Sequence, residues 1–146
     1  MGLIADRVAL ARAGANDRVV CRLPSGWVVL GDMQFLPGYS LLLADPVVPS
    51  LNHLGDEQRA AFLLDMARLG DALLAVTGAY RVNYEILGNS APELHAHVFP
   101  WFASEPEELR RLPAWFYDLD AAPAFDPVVH AGLHDALRGA LLAAGE

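Results

Sequence analysis

The sequence contains no lysine, a single cysteine and no long uninterrupted hydrophobic run. Each absence excludes something. With Cys21 alone, neither an intrachain disulfide nor a cysteine-based zinc site can form. No apolar run reaches the roughly 18 residues that a membrane span requires, so no membrane partner is expected. The opening stretch MGLIADRVALARAGAND carries Asp6, Arg7 and Arg12 within its apolar part. A secretory leader would be unbroken there, so the segment reads as a short amphipathic helix, and a cytoplasmic protein is expected. The 10 cations are all arginine and the net charge is −8. A nucleic-acid backbone needs a row of cations to neutralise it. None is present, and no nucleic-acid partner is expected. A single small phosphate differs, because backbone N–H groups and one or two side chains can hold it even in an acidic protein.

What is present is core material. Apolar residues make up 54% of the 146 positions and charged residues 19%, which suits one domain spanning residues 1–146 and excludes a disordered chain. RVVCRL (18–23) and WVVLG (27–31) read as strands joined by Pro24-Ser25-Gly26, and YSLLLA (39–44) as a third strand after Pro37-Gly38. From Asp56 to Val76, Phe62, Met66, Leu69, Leu73 and Val76 recur at steps of three and four, predicting a long helix. Asp56 and Glu57 suit its first turn and Gly78 its end. Leu63, Ala67, Gly70 and Leu74 are expected to widen its buried stripe. Residues 80–87 alternate, with Tyr80, Val82, Tyr84 and Ile86 on one face and Arg81, Asn83 and Glu85 on the other. A last strand is expected from Glu93 to Trp101, and a C-terminal helix from about Asp126 to Ala143. The fold class implied is α+β: an antiparallel sheet, a long helix packed on it, and a C-terminal helix.

The segment Glu93-Leu94-His95-Ala96-His97-Val98-Phe99-Pro100 carries the chemistry. Residues two apart on a strand share a face, so Glu93, His95 and His97 project together while Leu94, Ala96 and Val98 face the core. Three readings follow. The bland one is the wet side of an edge strand. The second is a metal site with both imidazoles and Glu93 as ligands. The third is nucleophilic catalysis, with a neutral imidazole attacking phosphorus and its neighbour binding the phosphoryl oxygens. Asn83 on the preceding strand and the turn Gly88-Asn89-Ser90, which offers N–H groups and an amide to an anion, favour the third.

The stretch VNYEILGNSAPELHAHVFPWF resembles the active-site region of the histidine-triad family, whose motif is His-φ-His-φ-His-φ-φ with φ apolar, often followed by proline. Pro100 sets the register: His95 and His97 match the second and third histidines, and Glu93 stands at the first. WVVLGDMQFLPGYSLLLADP is similar to the family's nucleotide-binding hairpin. The resemblance implies that His95 is a nucleophile forming a nucleotidyl-histidine, with no cofactor. His97 and Asn83 would contact the transferred phosphate, helped by Asn89 and Ser90, and Asp32 would accept from the ribose hydroxyls. It further implies a homodimer acting on dinucleoside polyphosphates or nucleoside phosphoramidates, adenine nucleotides among them. Two departures stand out. Glu93 replaces the first histidine, where a carboxylate would orient a neighbouring imidazole. Trp101 stands where a basic residue often follows the proline, and with Glu93 it keeps open the alternative of a nucleotide-binding module that has lost catalysis.

Elsewhere the bland readings prevail. His130 and His134 share a helix face without the glutamate of a zinc-protease motif. His53 reads as a loop residue, and Glu105, Glu107 and Glu108 as a solvated turn or helix start. Trp115, Phe116 and Tyr117 read as core or dimer packing, and Cys21 as a small core residue.

Overall fold

The structure is a computed structural model that describes residues 2–144. Helix α1 (Leu3–Arg12) buries Ile4, Val8 and Ala11, one face at steps of four and three. Strands β1 (Val19–Leu23) and β2 (Gly26–Leu30) form a hairpin, and β2 pairs in turn with β3 (Ser40–Ala44), all antiparallel. Asp45, just beyond β3, ties α1 to this meander. It accepts from Arg12 Nε and from Trp27 Nε1, each at 2.9 Å. The Arg12 hydrogen bond, reinforced by the Trp27 indole, holds the Asp45 carboxyl down at about 2 against the cost of its own burial.

Helix α2 (Asp56–Thr77) matches the apolar periodicity and stops at Gly78, whose φ of 71° is the left-handed conformation of a C-terminal cap. Phe62, Leu69 and Leu73 are fully buried. The expected widening of the stripe holds at Gly70 but fails at Ala67, which is exposed, and at Leu63 and Leu74, which are 37% and 40% exposed. Asp65 is the surprise on this helix. It is 1% exposed and accepts from Ser25 N at 2.8 Å and Ser25 Oγ at 2.6 Å, fastening α2 to the β1–β2 turn.

Strand β4 (Arg81–Glu85) is shorter than the alternating run, and β5 (His95–Trp101) begins two residues after Glu93. The sheet order is β1-β2-β3-β5-β4, so β5 lies between β3 and β4 and the edge-strand reading of the histidines is wrong. A short helix α3 (Glu107–Arg110) follows. Helix α4 (Ala131–Ala144) starts later than expected. Asp126 accepts from Val128 N and Val129 N at 2.8 and 3.1 Å, bending residues 126–129 into a separate turn before the helix begins.

The strand period of two gives the sheet two apolar faces. Leu42, Ala96 and Val98 pack with Phe62, Leu69, Leu73 and Leu137, burying the faces of α2 and α4. Leu41, Leu43 and Phe99 pack on the opposite side with Ile4 and Val8 of α1. Among the described residues, no helix is long and apolar enough to cross a membrane.

Candidate functional site

The α1 side of the sheet opens into a pocket of about 540 Å³. Its walls come from distant parts of the chain: Ile4 and Arg7 of α1, Phe35 and Tyr39 before β3, Asn89 and Ser90 between β4 and β5, and Trp115. His95 and His97 line it from the centre of the sheet.

Strand alternation sends both imidazoles to this face, and both are buried, His95 at 5% and His97 at 9% exposure. His95 Nδ1 lies 2.7 Å from the backbone carbonyl of Glu93. A carbonyl oxygen can only accept, so Nδ1 carries the proton. That leaves the Nε2 lone pair free, the tautomer a nucleophile requires.

The tautomer of His97 is set differently. Its Nδ1 lies 2.7 Å from the hydroxyl of Tyr39, itself 6% exposed. Burial drives the Tyr39 phenol well above its ordinary range. Its hydroxyl stays protonated and has no other partner among the described residues, so it donates to Nδ1. The His97 proton then sits on Nε2, as a donor. The Trp115 ring stands edge-on to His97, with centroids 5.0 Å apart, and its indole donates to Glu85 at 2.5 Å.

Burial, and secondarily the neighbouring His95, lowers His97 to about 4. The unfolded chain therefore takes up a proton near pH 6.5 that the folded one refuses until about 4. Stability is expected to fall by about 3 kcal/mol as pH drops through that window, a loss His97→Asn would not show. Urea unfolding of both proteins from pH 7 to 4 measures the difference. Equal slopes would refute it.

Most of the expected site residues converge. Asn89 and Ser90 line the pocket, and so does Asp32, which is engaged by Arg7 at 2.5 Å and has Arg18 Nε within 2.7 Å. Glu93 requires a correction. Its carboxylate turns away from the imidazoles to the start of α1, accepting from Ala5 N at 3.3 Å, and only its backbone orients His95. An acidic group is stabilising at a helix N-terminus. With Glu93 diverted, the three-ligand metal arrangement loses a member, and no group of three such side chains converges among the described residues. Asn83 is on the histidine face of the sheet but opposite Phe99, and it lines a second recess instead.

Trp115, read as packing, is also a wall of the pocket, whereas Phe116 beside it is 63% exposed. Glu105 is not merely solvated: it accepts from Phe102 N and from the Tyr117 hydroxyl. His134 Nε2 reaches the carbonyl of Val19 at 2.7 Å, His130 Nδ1 accepts from Asp126 N at 2.9 Å, and His53 pairs with Ser50. Cys21 is buried as expected. Sequence reasoning missed Tyr39, Arg7 and Glu85. The one local signal was Glu85 on the polar face of its strand; Tyr39 and Arg7 meet the site only through tertiary packing.

No protein-family model matches the sequence, and no curated protein does. Solved structures do match. A histidine triad protein from Marinobacter aquaeolei superposes with a TM-score of 0.76 at 19% identity, covering 98% of both chains. One from Bradyrhizobium japonicum gives 0.72 at 23% identity, over 84% of this chain and 89% of that one. A hypothetical histidine triad nucleotide-binding protein from Sulfolobus tokodaii gives 0.73 at 12% identity, over 94% and 92%. The fold is that of the histidine triad proteins.

Proposed function

We propose that the chain is a nucleotide hydrolase or nucleotidyl transferase of the histidine-triad kind. The observation that carries the reading is the Glu93 carbonyl on His95 Nδ1, which leaves Nε2 as a free nucleophile inside the pocket. Similarity to a solved structure described as a histidine triad nucleotide-binding protein supports a nucleotide as its partner. The nucleoside fills the apolar end of the pocket between Ile4 and Phe35, with Asp32 accepting from its ribose hydroxyls.

His95 Nε2 attacks the α-phosphorus. The N–P bond forms as the bond to the leaving group breaks, and the electron pair departs with that group. Water then attacks the same phosphorus and loses a proton to solvent, the N–P bond breaks with its electron pair returning to Nε2, and the imidazole is regenerated, the departed group having taken up a proton from solvent. Through both steps His97 Nε2–H donates to a phosphoryl oxygen, and Asn89 with the N–H groups near Ser90 supplies further donors. The substrates are dinucleoside polyphosphates and nucleoside phosphoramidates, with adenine as base. A homodimer through the edge strand β4 is consistent with the exposure of Tyr84, Ile86 and Leu87 on and beside it.

The test is to incubate the protein with diadenosine tetraphosphate or adenosine phosphoramidate, quench within the first turnovers, and map adducts by mass spectrometry. AMP release with an adenylyl adduct on the His95 peptide is expected. Release without an adduct, or an adduct elsewhere, refutes the mechanism, and binding without release refutes turnover of these substrates.

A further inference from the structure

Beside the histidine pocket lies a second recess, of about 480 Å³, whose chemistry differs. Arg81, Asn83, Trp101, Arg110 and Arg111 line it, with Glu85 at the partition between the two. The distribution of arginines marks this place. Among the described residues, seven of the ten lie within 4.0 Å of a carboxylate, so their charge is already answered. The other three are Arg81, Arg110 and Arg138. Arg138 is spent on the carbonyl of Val20 at 2.8 Å. Arg81 and Arg110 are both in the recess.

The two are held toward a common point. Arg81 pairs across the sheet with Trp101, so their side chains share a face. The Arg110 guanidinium stands 6.0 Å from the Trp101 ring centroid and donates from one nitrogen to the Ala103 carbonyl at 2.8 Å, leaving donors free. Arg81 has no hydrogen-bond partner among the described residues, and the Asn83 amide is its neighbour on the same strand face. In a chain of net charge −8, two guanidiniums without carboxylates, an amide and an indole ring make a local basic pocket. The only lining carboxylate among the described residues, Glu85, is engaged by the Trp115 indole.

We propose that this recess is an anion subsite that binds a short polyphosphate through Arg81, Arg110 and Asn83. Guanidinium forks suit phosphoryl oxygens, two donors to each group. The recess adjoins the histidine pocket along β4, where Glu85 is opposite His97. It therefore receives the polyphosphate on the leaving side of the scissile bond, an assignment that rests on the function proposed above. It favours dinucleoside polyphosphates over phosphoramidates, whose leaving amine carries no such charge.

The three tryptophans make the test specific, because each indole N–H has its own partner. Trp27 donates to Asp45, Trp101 to the Arg110 carbonyl, and Trp115 to Glu85. Inorganic tripolyphosphate, titrated into the nitrogen-15-labelled full chain, is expected to shift the Trp101 indole resonance saturably and leave Trp27 in place. Arg81→Gln, at an exposed position on the sheet edge, is expected to weaken that binding about tenfold. Adenosine, in a separate titration, is expected to move Trp115. Tripolyphosphate moving Trp115 without Trp101, or an Arg81→Gln affinity unchanged within twofold, overturns the subsite. If adenosine moves Trp115 while tripolyphosphate leaves Trp101 still, the subsite fails and the nucleotide reading stands. If tripolyphosphate moves Trp101 and adenosine moves nothing, the reverse holds.

Discussion

His95→Ala is expected to lower AMP release from diadenosine tetraphosphate by roughly 10⁴-fold or more, with the folded state retained. Removing a covalent nucleophile commonly costs that much, because the remaining groups only bind and polarise. No neighbour can take over. His97 has its Nδ1 engaged by Tyr39 and its proton on Nε2, so it presents no lone pair to phosphorus. The Glu93 carboxylate faces the start of α1. Steady-state rates of wild type and variant, with circular dichroism to verify folding, make the comparison. A variant retaining a tenth of the activity would show that His95 is not the nucleophile.

The largest effect on stability is expected on the other side of the sheet. Phe62→Ala removes a fully buried ring from between α2 and the sheet, at a cost of about 3–5 kcal/mol. In a protein of this size that corresponds to a fall in Tm of roughly 10–16 °C. Phe62 packs with Ala96 and Val98, whose side chains point away from the pocket, so kcat well below the new Tm is expected to change less than twofold. Thermal melts and rates at 15 °C separate the effects. A large loss of kcat at that temperature would mean that the two faces of the sheet are coupled.

Where periodicity is local, the sequence was readable. The stripe of α2, the Gly78 stop, the hairpin of β1 and β2, and the facing of His95 and His97 all follow from steps of two or of three and four. Pairing between strands far apart in sequence was not readable. Nothing local says that β5 inserts between β3 and β4, and that insertion buries the two imidazoles. Asp65 carries no local sign of its burial because its partner, Ser25, is 40 positions away. The same holds for the site. His95, His97, Asn89 and Ser90 could be picked out as candidates from their neighbours in the chain, and Asp32 from the resemblance. Tyr39, which sets the His97 tautomer, and Arg7, which shares Asp32, become visible only when α1 and β3 are brought to one face. Asn83 shows the converse: strand parity placed it on the correct face but could not say which of two adjoining recesses it would line.

The turn of Glu93 toward α1 bears on how this sequence can vary. A methyl group built on Gly2 would collide with the Glu93 carboxylate, so no side chain fits at position 2 while that carboxylate holds its place. Positions 2 and 93, far apart in the chain, thus meet at the start of α1, where a larger residue 2 has the flexible end of the Glu93 side chain to displace. A histidine at 93 would remove the carboxylate that accepts from Ala5 N at the start of α1, and enlarging residue 2 would displace it. Either exchange costs α1 a partner at its start, while the Glu93 backbone carbonyl that orients His95 remains.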